Sequence, residues 1–302
     1  MDGVATGSDI SNSASFALAS KVKDYFQLIK FTLSFTVVFS CVICYLLAPG
    51  VQFDIISVLL LFIAGILITG SANAINQTVE KDTDALMKRT ANRPVAAGRM
   101  SVNEGWFFAF ITGISGIVMM WFCFNFQSAL LGLFSLVLYA FIYTPLKKIN
   151  SISVLVGAFP GALPCLIGWV AATGKFGIGG WILFSIQFLW QFPHFWAIAW
   201  VAHKDYERAG FKLLPGKEGP TKFTALQSVI YSMLMIPVGM LPYYSHISGI
   251  ISFWILLVCN LSMVFLSVLL FIKMDVRAAR RVMFGSYFYL VIVFLALLLD
   301  KT

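Results

Sequence analysis

Charged residues are scarce in this chain of 302 residues: Asp, Glu, Lys and Arg together make up 11% of it, whereas soluble domains carry about a quarter. Hydrophobic residues make up 60%, and the mean hydropathy is +0.89. This composition excludes an ordinary soluble domain. The sequence therefore predicts an all-α polytopic membrane protein.

Cysteine is also rare, and its five copies all lie in apolar runs, which argues against a disulfide framework. They are Cys41, Cys44, Cys123, Cys165 and Cys259. Cys41 and Cys44 have CxxC spacing, but they fall inside a predicted membrane span. We therefore interpret them as packing residues.

Residues 1–20 lack both arginine and a long apolar run. A secretory signal needs the apolar run, and a mitochondrial transit peptide is rich in arginine and poor in acids. We therefore predict a disordered cytoplasmic tail over 1–20 on a bacterial inner-membrane protein, followed by a single transmembrane domain over 21–302.

Nine apolar stretches are long enough to cross a membrane as helices. They are 27–47, 55–75, 104–123, 127–145, 152–172, 179–201, 224–243, 249–271 and 283–299. In the fifth, Pro160 and Pro164 predict a break or kink at the edge of a cavity, where protein groups can satisfy the freed backbone. Simple helix packing through small residues is the alternative.

Basic residues are distributed unevenly between the loops. The formal net charge of +8 is compatible with nucleic-acid binding, but all except two of the 21 Lys and Arg residues lie in alternate loops. The exceptions are Lys175 and Lys301. By the positive-inside rule, the N-terminus and the three large loops face the cytoplasm. The charge therefore reflects membrane topology, and we expect no nucleic-acid partner.

The segment Asn73–Gly98 places acids and bases directly after a predicted span. If the helix continues, Asn76, Glu80 and Asp84 lie on one face, with Asn73 one turn earlier. Carboxylate and amide oxygens are the hard ligands that Mg²⁺ prefers. A solvated loop is the alternative, but ionisable groups near membrane depth favour a functional site. The bases that follow suit an anionic phosphate; they are Lys88, Arg89 and Arg93.

The order Asn-x₃-Glu-x₃-Asp, then Met-x-Arg-Thr-x-x-Arg and a glycine five residues later, resembles the signature of the UbiA superfamily of intramembrane prenyltransferases. A second charged segment resembles the heme-farnesylating branch of that superfamily; it reads Trp-Gln-x-Pro-His-Phe-Trp over 190–196 and Lys-Asp-Tyr over 204–206. Only one acid, Asp205, stands where the superfamily usually has two, which puts a second Mg²⁺ in doubt. The resemblance implies about nine helices around a central cavity.

The resemblance also implies a reaction in which farnesyl diphosphate, heme B and water give heme O and diphosphate. Mg²⁺ is the expected cofactor, with Asn73, Asn76, Glu80 and Asp84 as ligands and Asp205 as a further catalytic acid. The expected diphosphate-binding bases are Lys88, Arg89, Arg93, Lys147, Lys148 and Lys204. The expected heme contacts are Gln191, His194 and Trp196. A packing role for His194 is the alternative to iron ligation.

Two other functions are compatible with parts of the sequence. A UbiA-type enzyme for a quinone or chlorophyll precursor would share the first motif. A transporter would explain polar groups and broken helices at membrane depth, but not acids followed by arginines. Membrane lipid is an expected partner, and a heme A synthase or terminal oxidase is a candidate recipient of the product.

Overall fold

The computed structural model describes residues 19–216 and 219–302, so nearly all of the predicted tail lies outside the described residues. The described part is helical, with one isolated β-bridge between Ser248 and Lys301. Its helices are α1 (Ala19–Leu28), α2 (Phe31–Leu47), α3 (Ile55–Val79), α4 (Lys81–Ala85), α5 (Val102–Cys123), α6 (Phe126–Val137), a π segment (Leu138–Tyr143), α7 (Thr144–Leu146), α8 (Ser153–Thr173), α9 (Ile178–Val201), α10 (His203–Arg208), α11 (Lys222–Tyr244), α12 (Ile250–Lys273) and α13 (Val276–Leu299).

Each of the nine predicted spans overlaps a long helix, but not all nine pass as membrane spans. Seven helical stretches are long and apolar enough to cross a membrane alone, if α6, the π segment and α7 count as one (Phe126–Leu146). Helices α1 and α2, bent by 52°, would together make an eighth. Helix α9 has sufficient length at 24 residues but is not among these stretches. By length and composition, the described chain therefore has seven or eight spans where the sequence predicts nine.

The fifth predicted span does not break at its prolines. Helix α8 continues through Pro160 and Pro164, although proline removes the bond to the carbonyl four residues earlier. The carbonyl of Pro160, which Pro164 leaves without its helical donor, accepts from Ser135 Oγ at 3.4 Å. Nearby, Gln187 Nε2 donates to the carbonyl of Gly161 at 2.7 Å. Side chains of neighbouring helices thus satisfy the backbone and keep α8 whole.

Helices α8 and α9 form the centre of the bundle. Helix α2 packs on α8, α11 and α13 pack on α9, and α13 also contacts α2. The lysine after α13 strengthens this last contact, because Lys301 Nζ donates to the carbonyls of Leu46 and Ala48 at 2.6 and 2.8 Å. These carbonyls lie at the C-terminal end of α2, where a cation is favourable.

Close packing of α2 on α8 depends on Gly168. A Cβ atom at Gly168 would overlap the backbone carbonyl of Cys41. Gly132 in α6 is a useful contrast, because a Cβ there would meet only the mobile end of Ile68, with Cδ1 at 3.0 Å.

We predict that Gly168→Ala destabilises the protein by about 1–3 kcal/mol, since backbone atoms of two helices must move apart. Gly132→Ala, the matched control, should stay within about 1 kcal/mol of the wild type, because alanine favours the helix and one methyl group can move. Thermal unfolding of the purified variants in detergent measures both. Equal midpoints for the two variants would contradict the prediction.

Candidate active site

The three polar residues of the first motif share one buried face. The helix is interrupted at Glu80, where φ is −92° and ψ is 11°. Nevertheless, Glu80 N donates to Asn76 O at 3.0 Å and Asp84 N donates to Glu80 O at 2.7 Å, so the four-residue register continues across the break. Asn76, Glu80 and Asp84 are 1%, 3% and 0% exposed. We call these three residues the acid face.

Each carboxylate of the acid face has a cation against it. Lys147 Nζ lies 2.6 Å from Glu80 Oε1. Arg93 Nη1 donates to both carboxylate oxygens of Asp84, at 2.7 and 2.6 Å. A carboxylate buried without such a partner costs several kcal/mol. The predicted diphosphate ligands Arg93 and Lys147 are therefore inside the site, although they are far apart in sequence.

Lys147 is held by aromatic rings as well as by its ion pair. Its ammonium lies 5.0 Å from the ring centroid of Tyr143 in the π segment and 5.1 Å from that of Phe211 after α10. Burial lowers the pKa of the Lys147 ammonium, and the Glu80 carboxylate opposes that shift. The loop after α10, which follows the second charged segment, thus forms part of the surroundings of Lys147.

A base that the sequence analysis did not assign to the site also reaches the acid face. Lys30 Nζ donates to Asn76 Oδ1 at 2.9 Å. Lys30 lies at the elbow between α1 and α2, in the left-handed region with φ 49° and ψ 57°. Asn73 holds this elbow, since its Nδ2 donates to the carbonyl of Ile29 at 3.2 Å. A lone lysine beside an apolar run is the sequence signal that could have identified it.

Asn73 has a free acceptor beside the acid face. Among the described residues its buried Oδ1 has no hydrogen-bond partner, and Asn73 lines a cavity with mostly apolar walls. Its amide nitrogen, by contrast, is fully used by Ile29 and by Ser34 Oγ at 3.1 Å.

The remaining charged residues lie further out. Lys88, Lys148 and Lys204 are exposed. Arg89 joins the two charged segments, because its Nη2 donates to the Tyr206 hydroxyl at 3.3 Å. Asp205 is half-buried, and Arg208 Nη1 lies 3.7 Å from its carboxylate. Asp205 is therefore paired with Arg208 of its own helix, α10, and not with a base of the first motif.

A cavity of about 210 Å³ adjoins the acid face through Asn73. Its walls come mainly from α2, α3, the π segment, α8 and α9, with one or two residues each from α5, α6 and α13, and are mostly apolar. Polar or aromatic groups on the wall include Tyr139, Tyr143, Gln187, Trp190, Gln191, His194 and Phe195. Gly157, Gly161 and the prolines of α8 also line it, with Gly157 against Tyr143 and Gly161 against Gln191.

Two of the three predicted heme contacts reach this cavity. Gln191 and His194 line it, and Gln191 Nε2 donates to the carbonyl of Ala158 at 2.9 Å. Trp196 lies elsewhere: it is buried against Phe192 and Tyr231, with ring centroids 5.5 and 5.3 Å away. The structure therefore does not bring Trp196 to the site, because two helical residues past His194 is nearly the opposite face of α9.

The acid face fits a Mg²⁺ ion by its chemistry. Within residues 19–216 and 219–302, no group of three or more His, Cys, Asp or Glu side chains is arranged to hold a metal. Mg²⁺ needs only one or two carboxylates and completes its shell with water and substrate phosphate. Glu80, Asp84 and the unpartnered Oδ1 of Asn73 meet that requirement.

Comparison with known proteins agrees with this geometry. Residues 37–297 match the UbiA prenyltransferase family. The chain belongs to this family. A protoheme IX farnesyltransferase from Cytophaga hutchinsonii is 46% identical over 284 residues, covering 94% of this chain and 99% of the relative. Another from Christiangramia forsetii is 41% identical over 292 residues, covering 94% and 95%.

Solved structures share the UbiA fold. A digeranylgeranylglyceryl phosphate synthase superposes with a TM-score of 0.78 at 23% identity, covering 93% of this chain and 98% of its own. A UbiA homologue from Archaeoglobus fulgidus bound to GPP and Mg²⁺ superposes with a TM-score of 0.66 at 14% identity, covering 91% and 99%. The chain is therefore an integral membrane prenyltransferase whose helices have the UbiA arrangement.

We predict strong coupling between Lys147 and Glu80. Lys147→Met should lower the free energy of unfolding by about 3–5 kcal/mol, because it leaves the Glu80 carboxylate buried without its cation. Adding Glu80→Gln should recover much of that loss, since no charge remains to be paired. Denaturation of the two single variants and the double variant in detergent measures the coupling. Additive effects would show that the two groups do not interact.

Proposed function

We propose that this prenyltransferase transfers the farnesyl group of farnesyl diphosphate to a vinyl group of heme B, with addition of water, to give heme O and diphosphate. The observation that carries the proposal is the full-length similarity to protoheme IX farnesyltransferases, 46% and 41% identical over at least 94% of each chain. The acid face suits Mg²⁺-assisted loss of diphosphate, and the cavity beside it offers mostly apolar walls to the prenyl chain and the porphyrin.

Mg²⁺ is the proposed cofactor, held by Glu80 and Asp84 with the side-chain oxygens of Asn73 and Asn76. The A. fulgidus homologue bound to GPP and Mg²⁺ supports this assignment. When bound, the ion stabilises negative charge on the diphosphate as the carbon–oxygen bond breaks.

The bases around the acid face are the proposed diphosphate ligands. Arg93, Lys147 and Lys30 already lie within hydrogen-bond distance of Asp84, Glu80 and Asn76. A substrate phosphate at this face exchanges these partners for its own oxygens, without moving the bases far. Arg89 extends the set toward α10, and the exposed bases Lys88, Lys148 and Lys204 attract the anion from solution.

The proposed reaction balances without a redox partner. The bond between farnesyl C1 and oxygen breaks, and its electron pair leaves with diphosphate. The vinyl π electrons then form the new carbon–carbon bond to C1, and a cation remains on the carbon attached to the porphyrin. A water oxygen bonds to that carbon and loses one proton. The apolar cavity walls keep other water away from the allylic cation.

Gln191 and His194 are the proposed heme contacts, with Phe195 as a flat apolar neighbour on the same wall. Trp196 lies on another face of the same helix, against Phe192 and Tyr231. Asp205 is proposed either to orient Lys204 or to complete the metal site.

The proposed location is the inner membrane of a bacterium, with the acid face on the cytoplasmic side. The distribution of Lys and Arg supports this orientation. A heme A synthase or terminal oxidase is the proposed consumer of the product, because heme O needs a protein acceptor in the membrane.

We predict that cells expressing the wild type accumulate heme O and that cells expressing Glu80→Gln do not, because the variant lacks one carboxylate of the metal site. Asp82→Asn is the matched control: Asp82 is exposed two residues away, and its loss should leave heme O unchanged. Chromatography and mass spectrometry of membrane pigments measure the product.

Absence of heme O with the wild type, when the protein and both substrates are present, would contradict the proposed function. Purified protein with labelled farnesyl diphosphate and hydroxybenzoate would then test the quinone-precursor alternative. Movement of substrate across vesicles without any product would favour a transporter.

A further prediction concerns the elbow lysine. Lys30→Met should lower kcat/KM for farnesyl diphosphate by roughly 10- to 100-fold, since a charged hydrogen bond is worth about 1.5–3 kcal/mol. Lys23→Met, which removes an exposed base from α1, should have little effect. A Lys30→Met enzyme with wild-type kcat/KM would exclude a direct contact between Lys30 and the diphosphate.

A further inference from the structure

His194 is held in one orientation by two aromatic rings and one hydrogen bond. Its ring stacks on Trp190, with centroids 4.6 Å apart and an angle of 19° between the planes. The edge of Tyr287 in α13 lies against it, at 5.2 Å and 70°. On the α13 side, Nδ1 lies 2.8 Å from Ser286 Oγ.

The hydrogen bonds of Ser286 determine whether the imidazole or the serine hydroxyl is the donor in this contact. Ser286 Oγ lies 2.6 Å from the carbonyl oxygen of Met283, which can only accept. The serine hydroxyl has one hydrogen, so it donates to Met283, and its oxygen must accept from His194. The opposite arrangement would leave two oxygens 2.6 Å apart with no hydrogen between them. The network therefore places the imidazole proton on Nδ1.

The other nitrogen of His194 then carries a lone pair. Among the described residues, the hydrogen bond of this ring is the one at Nδ1 and none is formed at Nε2, and His194 lines the cavity. A neutral imidazole whose Nδ1–H is held by an oxygen acceptor, with Nε2 free, is the form in which histidine binds metals.

Ser286 is itself fixed from α9. Trp190 Nε1 donates to the backbone carbonyl of Ser286 at 2.8 Å, so the residue that stacks on His194 also anchors its hydrogen-bond partner. Ser286 is fully buried, and water therefore does not compete for its hydroxyl.

We propose that Ser286 is a positioning residue that fixes His194 as the Nδ1–H tautomer, so that Nε2 ligates the iron of the heme substrate. This inference rests on the proposed function. A heme ligated at Nε2 would lie against the α9 wall of the cavity, beside Gln191 and Phe195.

The test is titration of the purified full-length protein with ferric heme, followed by absorption and electron paramagnetic resonance spectra. The wild type should show an imidazole-ligated ferric heme, and His194→Ala should lose that signature. Ser286→Ala should bind heme about two- to tenfold more weakly, the value of one neutral hydrogen bond, with a reduced imidazole-ligated fraction.

Two further variants separate positioning from folding. Ser286→Thr keeps the hydroxyl and should keep the wild-type spectrum. Ser232→Ala is the matched control: Ser232 is a buried serine bonded to Ser267 at 2.9 Å in another part of the bundle, and its loss should change neither the spectrum nor the affinity.

The outcomes distinguish the inference from the function on which it rests. A Ser286→Ala spectrum and affinity equal to the wild type would overturn the positioning role. A wild-type spectrum that His194→Ala does not change would overturn iron ligation but leave the farnesyl transfer intact. A wild type that binds no heme would overturn the proposed function and this inference together.

Discussion

The burial of two carboxylates beside cations is the constraint on which the rest of the structure depends. Glu80 and Asp84 lie in a low-dielectric environment, where an unpaired charge is too costly to retain. The fold must therefore place their partners Lys147 and Arg93 within hydrogen-bond distance of the two carboxylates. Two local departures from regular α-helix position these cations: the π segment precedes Lys147, and the loop after α4 carries Arg93.

The cations at the acid face come from separate parts of the chain. Lys30 enters from the elbow between α1 and α2, Arg93 from the loop after α4, and Lys147 from the end of α7. The loop after α10 closes the site, because Lys212 N donates to the carbonyl of Lys147 at 2.7 Å. Helices and loops far apart between Lys30 and Lys212 must therefore pack before the charges meet, which links the stability of this part of the fold to assembly of the site.

The helices could be predicted from the length of their apolar runs, and the acid face from its helical spacing, because both signals are local in the sequence. The i, i+4, i+8 spacing of Asn76, Glu80 and Asp84 survives even though the helix is interrupted at Glu80. Lys30 could not be found in this way, since a left-handed elbow that turns a lysine inward has no periodic signal. The sequence also predicts a break or kink in α8, whereas the helix continues unbroken. The donors that satisfy its backbone at the prolines lie on other helices and cannot be found from the local sequence.

The distribution of charge also explains why one more base than carboxylate surrounds the acid face. Lys147 and Arg93 match Glu80 and Asp84, whereas Lys30 meets the neutral amide of Asn76. A prenyl diphosphate carries more negative charge than a single Mg²⁺ neutralises, so metal and substrate together bring a net negative charge into a buried site. The additional base offsets that charge where solvent cannot. In the proposed reaction, the surplus base at the elbow makes α1 and α2 part of the diphosphate site.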